Sequence, residues 1–185
     1  MKDEDIVDLF WTRSENAIIE TDRKYGKYCR SIAYNILLNE EDSEECVNDT
    51  YYGAWNCIPP HRPAVLATFL GKLTRRISLN RWKAQRAQKR GGGEVALALE
   101  ELSEIVPASS GVEEELEGKV LSVAINVFLT TLPETERDVF VCRYWFLVPV
   151  SEISRRFQFS QSKTKSMLFR TRGKLKVFLR EEGLL

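Results

Sequence analysis

The sequence predicts an all-α protein of two small helical domains joined by a flexible acidic linker, and three observations predict it. Apolar residues recur at three- and four-residue intervals through most of the chain, whereas strand-type alternation is scarce. Proline and glycine clusters interrupt those runs at Pro59-Pro60 and at Gly91-Gly92-Gly93. Charge is segregated: 27 Lys and Arg balance 27 Asp and Glu, yet Glu94 to Glu117 holds eight Glu and no cation. A chain of 185 residues accommodates one domain or two small ones, and so divided a charge map favours two.

In the first domain, expected over residues 1–90, Tyr28, Ile32, Ile36 and Leu37 mark an amphipathic helix. Asp42-Ser43-Glu44-Glu45 has the form of a capping box, with the Asp42 carboxylate accepting the Glu45 amide while Glu45 reaches back. A helix is therefore expected to start there. Val47, Tyr51, Ala54, Trp55 and Ile58 form its buried stripe until Pro59-Pro60 stops it. Leu66, Phe69, Leu70, Leu73 and Ile77 then predict a third long helix, whose opposite face carries Lys72, Arg75, Arg76, Asn80 and Arg81.

Residues 91–118 read as the linker. Gly91-Gly92-Gly93 is expected to be a hinge, and the Glu-rich stretch after it a solvated spacer with at most a short helical turn. That reading is preferred to one in which its negative charge folds back on a basic face when no nucleic acid is bound.

The second domain, expected over residues 119–185, opens with a helix from Val120 to Leu129. Leu132-Pro133-Glu134 starts another, with Pro in its first turn and acidic residues near the positive end of the dipole. Val139, Phe140, Cys142 and Tyr144 are its packing residues. Pro149-Val150-Ser151-Glu152 begins a short helix with Ile153 and Phe157 inward, and Phe159-Ser160 breaks it before Gln161 to Leu179 resumes. Two helices joined by a tight turn, the second basic, form a helix-turn-helix pattern.

Nucleic acid is the partner this charge pattern suits. Arg155 to Arg180 holds nine basic side chains and no acidic one, and His61 to Gly93 holds nine more, again without an acid. In a helix-turn-helix the second helix enters the major groove, where its first exposed residues meet base edges. With Ser160 as N-cap and Thr164 and Leu168 inward, Gln161, Lys165, Ser166, Phe169 and Arg170 fall at or beside the outward face. Lys165 and Arg170 suit guanine or phosphate, and Ser166 can donate to either. Phe169 either touches a thymine methyl or belongs to the core. Arg155 and Lys163 complete the expected DNA-binding set.

Other classes fit poorly. No run approaches the roughly 20 apolar residues of a membrane span, and Met1-Lys2-Asp3-Glu4-Asp5 is too acidic for a signal peptide, so a cytoplasmic protein with no membrane partner is expected. Cys29, Cys46, Cys57 and Cys142 form no CxxC pair and the chain has one His, so buried reduced thiols are expected, with no metal and no cofactor. There is no nucleophile motif and no glycine-rich phosphate loop opening a helix, so the chain is not expected to be an enzyme.

The residues now on the page resemble the extracytoplasmic-function (ECF) sigma factors, two-domain promoter-recognition subunits of bacterial RNA polymerase in the sigma-70 family. Leu132-Pro133-Glu134-Thr135-Glu136-Arg137, Arg143-Tyr144, Val150-Ser151-Glu152-Ile153 and Ser160 through Phe169-Arg170-Thr171-Arg172 are similar to that family's region 4. Ile32-Ala33-Tyr34, Asp42-Ser43-Glu44-Glu45 and Thr50-Tyr51-Tyr52-Gly53-Ala54-Trp55 resemble its region 2, and the likeness covers nearly the whole chain.

The resemblance implies a factor that binds core RNA polymerase and directs initiation by recognising the −10 and −35 promoter elements. It assigns docking on the clamp of the largest subunit to Asp42, Glu44, Glu45, Asn48 and Asp49, with the flap of the second-largest subunit as a further contact. It assigns the −10 element to Arg75, Arg76, Asn80, Arg81 and Lys83, with His61 in the loop that receives a flipped base. Trp82 is a candidate stacking or core residue. A cognate anti-sigma factor is a plausible partner. The chain departs from the family pattern at Gln158, where Gly is common, at Lys163, and at Phe69, where Trp is usual. A stand-alone helix-turn-helix regulator is the alternative, and it would bind duplex DNA without polymerase.

Overall fold

Residues 1–88, 93–106 and 114–185 are described in a computed structural model, and every regular element among them is an α-helix. The helices fall into two units, Met1–Gly91 and Gly92–Leu185.

Helices α1 (Asp3–Trp11), α2 (Asn16–Leu37), α3 (Glu40–Cys57) and α4 (Leu66–Gln88) build the first unit. Helices α2, α3 and α4 pack on one another pairwise, and α1 lies against α2. Their apolar stripes meet in a core of Ile6, Phe10, Cys29, Ala33, Val47, Ala54, Ile58, Leu66 and Leu70, with Tyr28, Trp55, Phe69 and Ile77 packed around it. Thr50 and Thr74 satisfy their buried hydroxyls by bonding each other at 3.1 Å and the carbonyls one turn back.

The start of α3 differs from the sequence expectation. Leu38 takes a left-handed conformation (φ 53°) that ends α2, and Asn39 is left extended as the N-cap, its side chain accepting the Asp42 amide at 2.9 Å. Asp42 and Glu45 are thus inside the helix rather than boxing its end. Their carboxylates are left to reach across to α4.

The second unit contains α5 (Glu94–Ser103), α6 (Glu114–Thr131), α7 (Glu134–Tyr144), α8 (Val150–Arg156) and α9 (Gln161–Glu181). Helix α9 is its hub, packing on α6, α7 and α8, while α5 rests on α7. Phe128, Phe140, Tyr144, Ile153, Leu168, Leu175 and Leu179 are buried, and Phe128 meets Phe140 and Phe178 ring to ring.

Part of the stretch expected to be spacer is folded. Residues Glu94–Ser103 form a helix whose Val95 and Ala98, followed by Ile105, are buried against this unit. Spacings of three and seven place those apolar residues on one face, which is what lets so acidic a segment pack. Gly91, Gly92 and residues 107–113 of the expected linker lie outside the described residues. All four cysteines are free thiols, Cys29 and Cys46 buried, Cys57 and Cys142 half-buried.

Candidate nucleic-acid interface

The second unit presents a helix-turn-helix whose turn is held by its backbone. Gln158 adopts φ 55°, the left-handed region that favours glycine, and the Phe159 amide then donates to the Ser154 carbonyl at 2.9 Å. Ser160 caps α9, its hydroxyl accepting from the Lys163 amide at 3.1 Å. One buried polar contact fixes the angle between the helices, where the Ser154 and Thr164 hydroxyls meet at 2.9 Å.

With Thr164, Met167 and Leu168 buried, Gln161, Lys163, Lys165, Ser166, Phe169 and Arg170 are exposed. Phe169 stands 69 % exposed, so it belongs to the outward face and not to the core. Lys163 lies over the Phe159 ring at 3.7 Å, and Arg170 folds back to the Ser166 carbonyl at 3.3 Å. Arg155 is exposed on α8, 3.4 Å from Glu152. Hydrogen bonding from Arg156 holds the Glu152 carboxyl below its usual range. The positive end of the α9 dipole adds to these cations, and together they favour a phosphate-bearing ligand.

The first unit carries a second basic face on α4. Lys72, Arg76, Asn80 and Lys83 are exposed at spacings of four, four and three, which aligns them in one stripe. His61 is exposed in the preceding loop, beside Arg62, which pairs with Asp8 and lies 5.8 Å from the centre of the Trp11 ring. Arg75 points inward and is half-buried, and that burial lowers its pKa. Trp82 is half-buried.

Arg81 leaves the stripe. Its guanidinium bridges to Asp42 and Glu45 of α3, each at 2.6 Å, and Gln85 adds a bond to Asp42 at 3.0 Å. The Arg81 hydrogen bond holds the Glu45 carboxyl below its ordinary value and raises the guanidinium's own pKa. Two residues expected to dock a partner and one expected to touch DNA are therefore joined to each other. Glu44, Asn48 and Asp49 remain exposed on α3, Glu44 within 3.6 Å of Arg30.

Residues 22–88 match the family model for Sigma-70 region 2, and residues 122–175 that for Sigma-70, region 4. The two models follow one another in the family's order and together span about two thirds of the chain. The chain belongs to the sigma-70 family. Comparison with curated proteins found no match. Sigma-70 family factors are non-enzymatic initiation factors, and these two regions carry promoter recognition and binding to core RNA polymerase and promoter DNA.

The α4 stripe lies within the region 2 match and the helix-turn-helix within the region 4 match, whereas α1 and α5 fall outside both. No group of metal-ligating side chains occurs among the described residues, and no described helix is long and apolar enough to cross a membrane. Sequence reasoning missed an apolar surface beside the docking set, where Ile18 and Ile19 of α2 flank Asn48, Tyr52 and Trp55 of α3. Tyr52 is 69 % exposed. The sequence signal of that surface is the pair Ile18-Ile19, N-terminal to the Tyr28–Leu37 stripe of the same helix and too short a run to show periodicity.

Proposed function

We propose that the chain is an ECF sigma factor that binds core RNA polymerase and directs initiation through two DNA contacts. In this reading α9 recognises the upstream −35 element in the major groove, with Gln161, Lys165, Ser166, Phe169 and Arg170 at base edges and Arg155, Ser160 and Lys163 at phosphates. The α4 stripe of Arg76, Asn80 and Lys83, joined by Lys72 and the His61 loop, follows the −10 element once its strand is unpaired. Arg75 and Arg81 support that stripe from beneath. Docking on the clamp of the largest polymerase subunit falls to Glu44, Asn48 and Asp49, with Asp42 and Glu45 shaping the same helix, and the flap of the second-largest subunit meets the C-terminal unit. The factor acts in the cytoplasm, and a cognate anti-sigma factor would be its restraint.

The observation that carries this reading is one exposed cationic stripe in each matched region, on helix segments, 66–88 and 161–180, that contain no acidic residue. Tethering two weak contacts raises effective concentration, so a two-part site is held tightly although either half alone is weak. Replacing Lys165 and Arg170 with Ala tests it in transcription with core polymerase. Selection at the upstream element should fall by about 1–3 kcal/mol per lost base contact while polymerase binding persists. Unchanged promoter choice would refute the assignment, and duplex binding equally tight without polymerase would favour a stand-alone regulator.

A further inference from the structure

Helix α5 meets the second unit through charge as much as through apolar contact. One oxygen of Glu101, Oε2, lies 2.8 Å from the Tyr144 hydroxyl, 3.2 Å from Arg172 Nη1 and 3.5 Å from Arg143 Nε. Glu94 takes Arg143 Nη1 at 2.7 Å, and Arg172 donates to the Tyr144 hydroxyl at 2.6 Å. Arg143 is fully buried, yet its Nε and Nη2 make no hydrogen bond among the described residues. A buried guanidinium with two donors unspent is an anion site incompletely filled by the carboxylates on it.

The site adjoins the reading face. Arg172 follows Phe169 by three residues on α9, and its guanidinium lies 5.9 Å from the centre of that exposed ring. The rest of the footing of α5 is apolar: Val95, Ala98 and Ile105 are buried and Leu99 and Leu102 half-buried, while Leu97 is 46 % exposed and Glu100 and Glu104 face solvent. With a single short helix face buried, the ionic contacts share with the apolar ones in deciding whether the helix stays down.

We propose that α5 is an intramolecular mimic of the nucleic-acid backbone: Glu94 and Glu101 occupy a phosphodiester-binding site made by Arg143, Arg172 and Tyr144, and DNA must displace the helix to use it. Glu101 engages the cluster through one oxygen, whereas a phosphodiester can present both of its charged oxygens to the guanidinium fork and so use the donors Glu101 leaves idle. The same helix places uncompensated negative charge beside α9, which opposes DNA until it lifts. The proposal rests on the reading of α9 as the DNA-contacting helix.

The test uses the full chain without polymerase and a short random-sequence duplex, titrated across salt concentrations. Glu94→Gln with Glu101→Gln should raise affinity about tenfold and steepen the slope of log affinity against log salt by about one to two, one for each phosphate newly neutralised. Adding Arg172→Ala should abolish that gain. Glu100→Gln with Glu104→Gln makes the same charge change away from the site and should gain clearly less. An equal gain in that control, or none in the first pair, overturns the mask.

Hydrogen exchange on the unaltered chain gives a reading independent of any variant's folding. Saturating duplex should speed exchange of the amides of Glu94–Ser103, and slowed or unchanged exchange there overturns the proposal. If the chain selects promoters with core polymerase yet neither measurement responds, the mask alone falls. If no variant contacts DNA even with polymerase, the DNA reading falls with it.

Discussion

Replacing Arg81 with Ala should unlock α3 from α4 in the first unit. The guanidinium is 28 % exposed and its partner Asp42 22 % exposed, so the pair is largely shielded from solvent. Charged hydrogen bonds in that setting are worth about 1.5–3 kcal/mol, and fully exposed pairs only about 0.2–1 kcal/mol. An intermediate value of about 1–2 kcal/mol follows for Arg81 with Asp42. Glu45 is 61 % exposed and contributes a screened, salt-sensitive remainder. Asp42 keeps its Gln85 bond at 3.0 Å in the variant, which limits the loss. Three of the four tryptophans lie in the first unit, so urea unfolding followed by tryptophan fluorescence reports mainly on it. Arg81→Ala should lower stability by about 2 kcal/mol, and a double-mutant cycle with Asp42→Ala should return a coupling of about 1 kcal/mol. Zero coupling and unchanged stability, together with loss of promoter opening, would refute the clamp and return Arg81 to the DNA-contacting face.

Thr164→Val removes the hydroxyl that meets Ser154 inside the helix-turn-helix, while Ser154 keeps its bond to the Val150 carbonyl at 2.8 Å. Stability of the second unit should fall by about 1–2 kcal/mol as read by hydrogen exchange of its core amides, and upstream-element binding should weaken with it. Gln158→Gly relieves a left-handed residue (φ 55°) in the turn. It should raise the thermal midpoint by an amount equivalent to at most about 1 kcal/mol, the Cβ penalty offset by glycine's greater entropy when unfolded. The Glu45 carboxyl is held below its ordinary value by Arg81. A depressed folded pKa contributes stability that is present above the unfolded value, about 4.3, and is lost as pH falls through the folded one. Acid titration of first-unit stability should therefore show a small loss below that value which Arg81→Ala abolishes.

Local chemistry was legible where it decided the outcome. Ser160 reads as a cap and is one, because an extended Ser before a helix satisfies an amide that nothing else can reach. Thr164 and Leu168, four apart, point inward as their spacing requires, and that turns Phe169 outward. The stripes of α4 followed from periodicity, with Leu66, Leu70 and Leu73 buried opposite Lys72 and Arg76. The capping box failed because Asn39 and Asp42 are both good caps three residues apart, and the conformation of Leu38 chose between them. No local rule could join Arg81 to Glu45 across 36 residues, since the pairing depends on how α3 and α4 meet. Helix α5 does carry a signal in Val95, Ala98, Leu102 and Ile105 at spacings of three, four and three, but the surrounding Glu give the segment the composition of a solvated spacer. Burial of Arg143 was beyond reach, because it depends on that helix folding onto the unit.

The central claim is that one chain grips two separate stretches of promoter DNA while bound to polymerase. Transcription from a library of randomised upstream sequences, using the purified chain with bacterial core RNA polymerase, measures it most directly. Sequencing the transcribed members should reveal two enriched blocks at a fixed separation, with strand opening confined to the downstream block. A chain that core polymerase does not bind, or a library transcribed without any enriched sequence, would contradict the account.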